Sequence, residues 1–289
     1  MLKVTKKSTA KAKAVQVNTV NRAFVALISA LLIATLASFA ANAQAPGGQG
    51  QPQGNPMRPQ TVQFTGGVGL ITSNDYRGAD NARFIPIPFG DIRYDRFFFN
   101  PGVGLGANVV SWNQGKWRYQ LDLAIAPQFA NRDASDVPGV DALEIGVEGR
   151  AVGRLSYENW TLQVQGGHAL FETGTNGGSV EVGLLYGDRF GRGGIWSIGP
   201  NFVFVDDNTA QSLYRVTPRE SRASGLDVFR TTGGLESVNL QGFLNYPLGG
   251  RWFALLTLNA GFLTDKYEAS PIVETRFQGT LISAITYRF

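Results

Sequence analysis

Thirteen residues in the middle of the chain, Lys116 to Gln128, alternate without a break between two chemistries. Trp117, Tyr119, Leu121, Leu123, Ile125 and Pro127 fall on one face, which Phe129 continues. Lys116, Arg118, Gln120, Asp122, Ala124, Ala126 and Gln128 fall on the other. Period two over this length, with charge on one side only, describes an extended strand lying between two different solvents. Rings stand at both ends of the apolar face and aliphatic chains in its middle. That order matches a lipid-facing strand, whose ends meet the interfaces where Trp and Tyr are favoured.

The pattern recurs from Thr61 to Phe289. Leu143, Ile145, Val147, Ala151, Leu155 and Tyr157 alternate with Glu144, Glu148, Arg150 and Arg154, and Trp160, Leu162 and Val164 with Thr161, Gln163 and Gln165. Eleven such runs can be read, at 61–71, 83–94, 96–110, 116–130, 142–156, 159–171, 178–190, 194–205, 233–247, 250–264 and 276–289. Most are long enough for a tilted strand to cross a hydrocarbon layer. A soluble β-sandwich also alternates, but its polar face meets bulk water and has less use for 36 glycines, which on an inner wall let strands curve. The expected fold is therefore all-β, an antiparallel transmembrane β-barrel over residues 61–289. Single-chain bacterial barrels have even strand numbers, so one strand is hidden in 206–232 or at a break at Asn100-Pro101-Gly102. Twelve strands are expected, with ten as the fallback.

The N-terminus fits export. Lys3, Lys6, Lys7, Lys11, Lys13 and Arg22 precede an apolar stretch from Ala23 to Ala40, and Ala41-Asn42-Ala43 follows. Charge, apolar core and A-x-A form a secretory signal peptide over 1–43. Residues 44–60, rich in Gln, Pro and Gly, cannot bury a core and read as a disordered periplasmic leader. Residues 1–43 hold six of the 26 basic side chains and none of the 22 acidic ones, so the remainder is slightly acidic. The basic balance belongs to the export signal, and no nucleic-acid partner is implied. Without cysteine, a disulfide framework is excluded. At the other end Leu281, Ile285, Tyr287 and the final Phe289 share a face, an aromatic ending of the kind that barrel-assembly machinery reads during outer-membrane insertion.

Candidates for chemistry are few. His168 is the sole histidine, and continuing the Trp160–Leu162–Val164 face puts it on the lipid side with no Asp or Ser near it in sequence. An interfacial histidine is the ordinary reading, against a general base. Glu144, Glu148, Arg150 and Arg154 share one strand face and suggest an ion-pair network in the lumen rather than a glycosidase carboxylate pair. Gly102, Gly104 and Gly106 sit in a strand-like run with no helix to receive a phosphate. Asp206-Asp207-Asn208 offers oxygens that a calcium loop would use, though a solvated loop is the plainer reading. Asn159-Trp160-Thr161 matches a glycosylation sequon at a strand start. No catalytic, cofactor-binding or metal-binding residue is expected.

Tyr76-Arg77-Gly78-Ala79-Asp80, Arg83-Phe84-Ile85-Pro86-Ile87-Pro88, Arg96-Phe97-Phe98-Phe99 and Tyr267-Glu268-Ala269-Ser270-Pro271-Ile272-Val273 give the chain a further identity. With the closing Tyr287-Arg288-Phe289, they resemble the MipA/OmpV family of outer-membrane proteins across 61–289. The resemblance implies a non-enzymatic scaffold for peptidoglycan (murein) machinery. Its partners would be a lytic transglycosylase and a bifunctional penicillin-binding synthase. On structural grounds Gly78 would allow a tight turn, and Pro86, Pro88 and Pro271 would interrupt pairing where strands begin. A small porin or channel for solutes is the alternative, since fold alone does not fix function.

Overall fold

The computed structural model describes residues 61–129 and 132–289, so the export segment 1–43 and the leader 44–60 lie outside the described residues. Twelve strands form a closed antiparallel barrel in which each pairs with its sequence neighbours and the first with the last. They are β1 (Gln63–Asn74), β2 (Ala82–Tyr94), β3 (Phe97–Asn100), β4 (Gly104–Gln114), β5 (Trp117–Gln128), β6 (Gly146–Tyr157), β7 (Trp160–Ala169), β8 (Gly178–Phe190), β9 (Gly194–Val205), β10 (Gly234–Gly249), β11 (Trp252–Leu263) and β12 (Phe277–Arg288). Closure runs from Thr65↔Arg288 to Ser73↔Thr280. The hidden strand is at the Asn100-Pro101-Gly102 break: the run 96–110 is β3, a turn and most of β4. The stretch 206–232 instead holds two short helices, α1 (Asp207–Tyr214) and α2 (Pro218–Ser224), and a one-turn α3 (Asp265–Glu268) follows β11.

The two rims of the barrel differ. At the rim where β1 starts and β12 ends, neighbours are joined by turns of two or three residues. The two-residue turns begin with a residue at positive φ, at Asp95 (52°), Gly115 (58°), Glu158 (51°) and Gly250 (57°), a backbone that suits the twist of paired strands. At the opposite rim the connections 75–81, 129–145, 170–177, 206–233 and 264–276 are long.

Alternation along each strand is translated directly into two surfaces. Trp117, Leu123 and Ile125 point outward, Leu123 being 48% exposed, while Asp122, Ala124 and Ala126 are buried inside. Outward rings ring the short-turn rim in contacting pairs: Trp117–Tyr157 (4.7 Å), Trp160–Tyr186 (5.0 Å), Tyr186–Trp196 (5.9 Å) and Trp252–Tyr287 (5.0 Å). Toward the long-loop rim the outward rings are phenylalanines, among them Phe262 against Phe277 (5.8 Å) and the exposed Phe84 and Phe204. Trp and Tyr carry a polar handle and Phe does not, so the two edges of the apolar belt differ in chemistry.

Apolar burial is concentrated at the long-loop rim. One cluster joins Val203, Val205, Ala210, Leu213, Tyr214, Leu263 and Tyr267. A second joins Tyr76, Ala79, Val137, Val140, Val216 and Ile272. Four connections thus share one small core and make a cap on that rim.

Candidate functional site

The cap is built by local capping signals and tied together by long-range polar contacts. Asp206 caps α1, its carboxylate accepting from the N–H of Thr209 (2.7 Å) and of Gly178 on β8 (2.8 Å). Burial alone would raise its pKa, but the two N–H donors outweigh burial and hold the carboxyl below its ordinary value. Asp206-Asp207-Asn208 is therefore a helix start, not a solvated loop, and among the described residues no cluster of His, Asp and Glu forms a metal site. Thr217 and Glu220 form a reciprocal capping box on α2 with Pro218 at its first turn. Glu220 also accepts from the N–H of Asp141 (3.0 Å), and these donors overcome burial to keep it below the usual carboxylate range. Arg132 spans two connections, donating to Leu213 O (3.0 Å) and Asp141 O (3.1 Å).

At the centre of the cap lies Glu236, 1% exposed, at a bulge in β10 between Leu235 and Ser237. The Nε of Arg77 donates to it (3.0 Å), a second Arg77 nitrogen completes the ion pair, and the Tyr214 hydroxyl donates to it (2.6 Å). Ser270 donates to Tyr214 O (2.7 Å), and Tyr76 donates to Ile272 O (3.1 Å). Gly78, at φ 102°, donates its N–H to Gln278 and receives Glu274 N–H on its carbonyl. The segments 76–80 and 267–273, both part of the family resemblance, thus meet in one packed unit. Burial pushes the Tyr76 and Tyr267 hydroxyls up to about 12, with the charge of Glu274 adding at Tyr76 and that of Glu236 at Tyr267.

Below the cap the lumen has two unlike walls. On the strands β5 to β9 it is polar. Arg154 donates to Asp122 (2.7 Å) and to Gln163 (3.0 Å), Arg150 to Glu148 (2.7 Å), and Asn201 to Glu181 (3.3 Å). Glu144 forms no ion pair among the described residues: β6 starts later than expected, at Gly146, and Glu144 is exposed in the preceding connection. Across β2, β1, β12 and β11 apolar side chains hold only the middle inward rungs, Ile85↔Ile71↔Ile282↔Thr257 and Ile87↔Gly69↔Ala284↔Leu255, with Arg83↔Ser73↔Thr280↔Asn259 toward the long-loop rim and Asp91↔Thr65↔Arg288 toward the short-turn rim. Nothing in the alternation distinguished this wall, because β2 is apolar on both faces.

The remaining sequence candidates have structural roles. His168 is exposed on the outward parity of β7, its Nδ1 2.9 Å from Ala169 O. Asp206 comes close to it in space, both lying beside Gly178, yet no hydrogen bond between them occurs among the described residues. Gly104 and Gly106 let β4 press against β5: an added Cβ would stand 2.3 Å from Ile125 O and 2.2 Å from Leu123 O. Asn159 donates to the Tyr186 hydroxyl (3.3 Å) at a tight turn. Pro86 and Pro88 lie inside β2 rather than at its start, and the ladder with β1 runs past them unbroken. A shallow cleft of about 320 Å³ on the cap is lined by Gln211, Arg215, Thr217, Pro218 and Arg230, and brings no acid and base together.

The short-turn rim is small and basic at its tips. Lys116 pairs with Glu158 and Arg96 lies 3.8 Å from Asp95, while Arg192 and Arg251 have no ion pair among the described residues.

Comparison with known proteins places these features in a lineage. The family model described as MltA-interacting protein MipA matches residues 66–289. The MltA-interacting protein of Escherichia coli (strain K12) is 24% identical over 228 residues, covering 77% of this chain and 88% of the relative. That of Shigella flexneri shows the same identity and coverage.

Proposed function

The chain belongs to the MipA family, and from that premise we propose that it is a non-enzymatic scaffold spanning the outer membrane, in service of murein synthesis and hydrolysis. The outward belt of apolar side chains between two ring-bearing edges supports placement in a bilayer. In that placement the short-turn rim faces the periplasm and the cap faces outside. The signal peptide 1–43 is removed on export, and 44–60 extends into the periplasm as a leader.

The observation that carries the scaffold reading over a channel is the cap, in which four connections share a core across the long-loop rim. A porin needs that rim open. The partner carried over from the relatives' name is a lytic transglycosylase, with a penicillin-binding synthase as the further member of the assembly. The relatives are named for interacting with MltA. Arg192 and Arg251 at the turn tips suit a partner with an acidic face.

Affinity capture tests this reading. The mature chain, held in detergent as bait in an envelope extract, retains a lytic transglycosylase if it is a scaffold; failure to retain one at low salt removes the reading. Planar-bilayer recordings decide the channel alternative, for which steady stepwise conductance is the signature.

A further inference from the structure

The cap places two cations side by side. Arg215 leaves α1 as its C-cap in extended backbone, and the next residue, Val216, forms an antiparallel bridge with Phe229 through two hydrogen bonds of 3.0 Å. Val216 is fully buried and Phe229 packs on both apolar clusters, so that face of the ribbon is turned into the cap. Residues flanking a hydrogen-bonded pair stand opposite each other and point to the other face, with about 5 Å between their Cβ atoms. Here those residues are Arg215 and Arg230, both exposed and both lining the cleft of about 320 Å³.

Like charges directly opposite on a strand pair repel, and no neighbouring carboxylate is free to relieve this one. Among the described residues neither arginine forms an ion pair. The Glu220 carboxylate accepts from Thr217 and from the N–H of Asp141, Asp207 accepts from the N–H of Gly233 (2.6 Å), and Asp141 pairs with Arg219. Burial raises the pKa of Glu220; its donors and, after them, the charge of Arg215 lower it, without an ion pair between the two. Asp227 is exposed three residues before Arg230 and pairs with neither arginine among the described residues. The C-terminal end of α1 favours one cation, which accounts for Arg215 and not for Arg230 across from it. The cleft between them is a fixed one. The Gln211 side chain donates to Thr231 O and ties α1 to the segment carrying Arg230, while Thr217 and Pro218, the start of α2, form the other side.

We infer that this cleft binds a phosphate group, with Arg215 and Arg230 each donating to its terminal oxygens. One guanidinium fork already satisfies both oxygens of a carboxylate, which would leave the second arginine idle. A phosphate monoester offers three terminal oxygens and close to two negative charges at neutral pH, which two adjacent forks match. The cleft has a volume near the lower end for ligand sites, roughly 300 Å³, so it admits a phosphate with a small group attached. The same chemistry is found on a phosphorylated lipid headgroup and in a free phosphate. Only the lipid source rests on the placement proposed above, in which the cap faces outside, and neither source requires the scaffold role.

The test is calorimetric titration of the mature chain in detergent, at low salt and in a buffer without phosphate. The probes are inorganic phosphate, glucosamine 6-phosphate, lipid A in mixed micelles and lipid A stripped of its phosphates. Saturable binding of the phosphate probes is expected, without competition from acetate. Arg215→Gln and Arg230→Gln together should weaken it at least tenfold, whereas Arg189→Gln, at the opposite rim, should not change it. Heat-modifiable migration establishes that each variant is folded. Without phosphate the double variant should melt no lower than the parent, since a repulsion has been removed, and only the parent should gain stability from phosphate. Lipid A binding at least tenfold tighter than glucosamine 6-phosphate, and lost with its phosphates, assigns the lipid headgroup; equal affinities assign the free phosphate. The inference is overturned if no phosphate probe binds saturably, if acetate competes on equal terms, or if the double variant binds as the parent does.

Discussion

Placing one charge on the outward face of β5 measures the solvent that surrounds the barrel. Leu123 stands six residues from Trp117, whose ring marks the short-turn edge of the belt. At about 3.3 Å per residue and a tilt of about 40°, that is roughly 15 Å along the barrel axis. An apolar band roughly 25 Å tall then puts Leu123 near its midplane, where an arginine costs about 2–4 kcal/mol. The control faces inward: Gln165 pairs with Val152, which pairs with Asp122 next to Leu123. Gln165 is also directly across from Glu181, so Gln165→Arg gains an acidic neighbour and should cost within about 1 kcal/mol. Urea-titrated folding into phospholipid vesicles reads both free energies. Equal losses for Leu123→Arg and Gln165→Arg would refute the reasoning, because the outward face would then not be in hydrocarbon.

Glu236→Ala removes the acid between Arg77 and Tyr214. We expect a loss of about 3 kcal/mol, at the low end for a broken buried pair because Arg77 is 32% exposed and rehydrates. Amide exchange should quicken in 206–233 and not in β5 or β6; a uniform change along the chain would contradict a local lock. Tyr76 and Tyr267 have folded pKa values raised to about 12 from 10.0, so their contribution to stability is whole below pH 10 and is lost as pH rises toward 12. Ultraviolet titration should show late tyrosinate formation with the cap loosening in that window, whereas ionisation of all tyrosines near pH 10 would contradict their burial. Deleting Phe289 should lower the amount of heat-modifiable barrel in outer-membrane fractions, while deleting 44–60 should not. The reverse result would move barrel specification away from β12.

Most of the wall was legible because its two faces meet different chemistries, which imposes period two on the sequence. β3 was not, for it has four residues, and the bulge between Asn108 and Val110 shifts the alternation that follows. The helices in 206–233 did leave a signal: Thr217-Pro218-Arg219-Glu220 is a capping box with proline at its first turn. Beyond that cap, a seven-residue helix shows too little periodicity to stand out in the sequence. Arg77 and Glu236 stand 159 positions apart, a contact that no local pattern encodes. The unlike walls of the lumen were equally hidden. In Arg83-Phe84-Ile85-Pro86-Ile87-Pro88 both faces are apolar after the first residue, so the run shows hydrophobicity but not that half of it lines an interior. Glu148, Arg150 and Arg154 share a strand face that the sequence shows, but the partner of Arg154 is Asp122 on the neighbouring strand β5, which the pattern of β6 alone does not reveal.

Binding of a purified lytic transglycosylase to the mature chain in lipid nanodiscs tests the scaffold role most directly. A scaffold working from its short-turn rim binds the enzyme saturably. That binding weakens when Arg192→Glu and Arg251→Glu are introduced together, while heat-modifiable migration stays normal. Absence of binding at low salt, or binding untouched by the two reversals and blocked by a ligand on the cap, would contradict it.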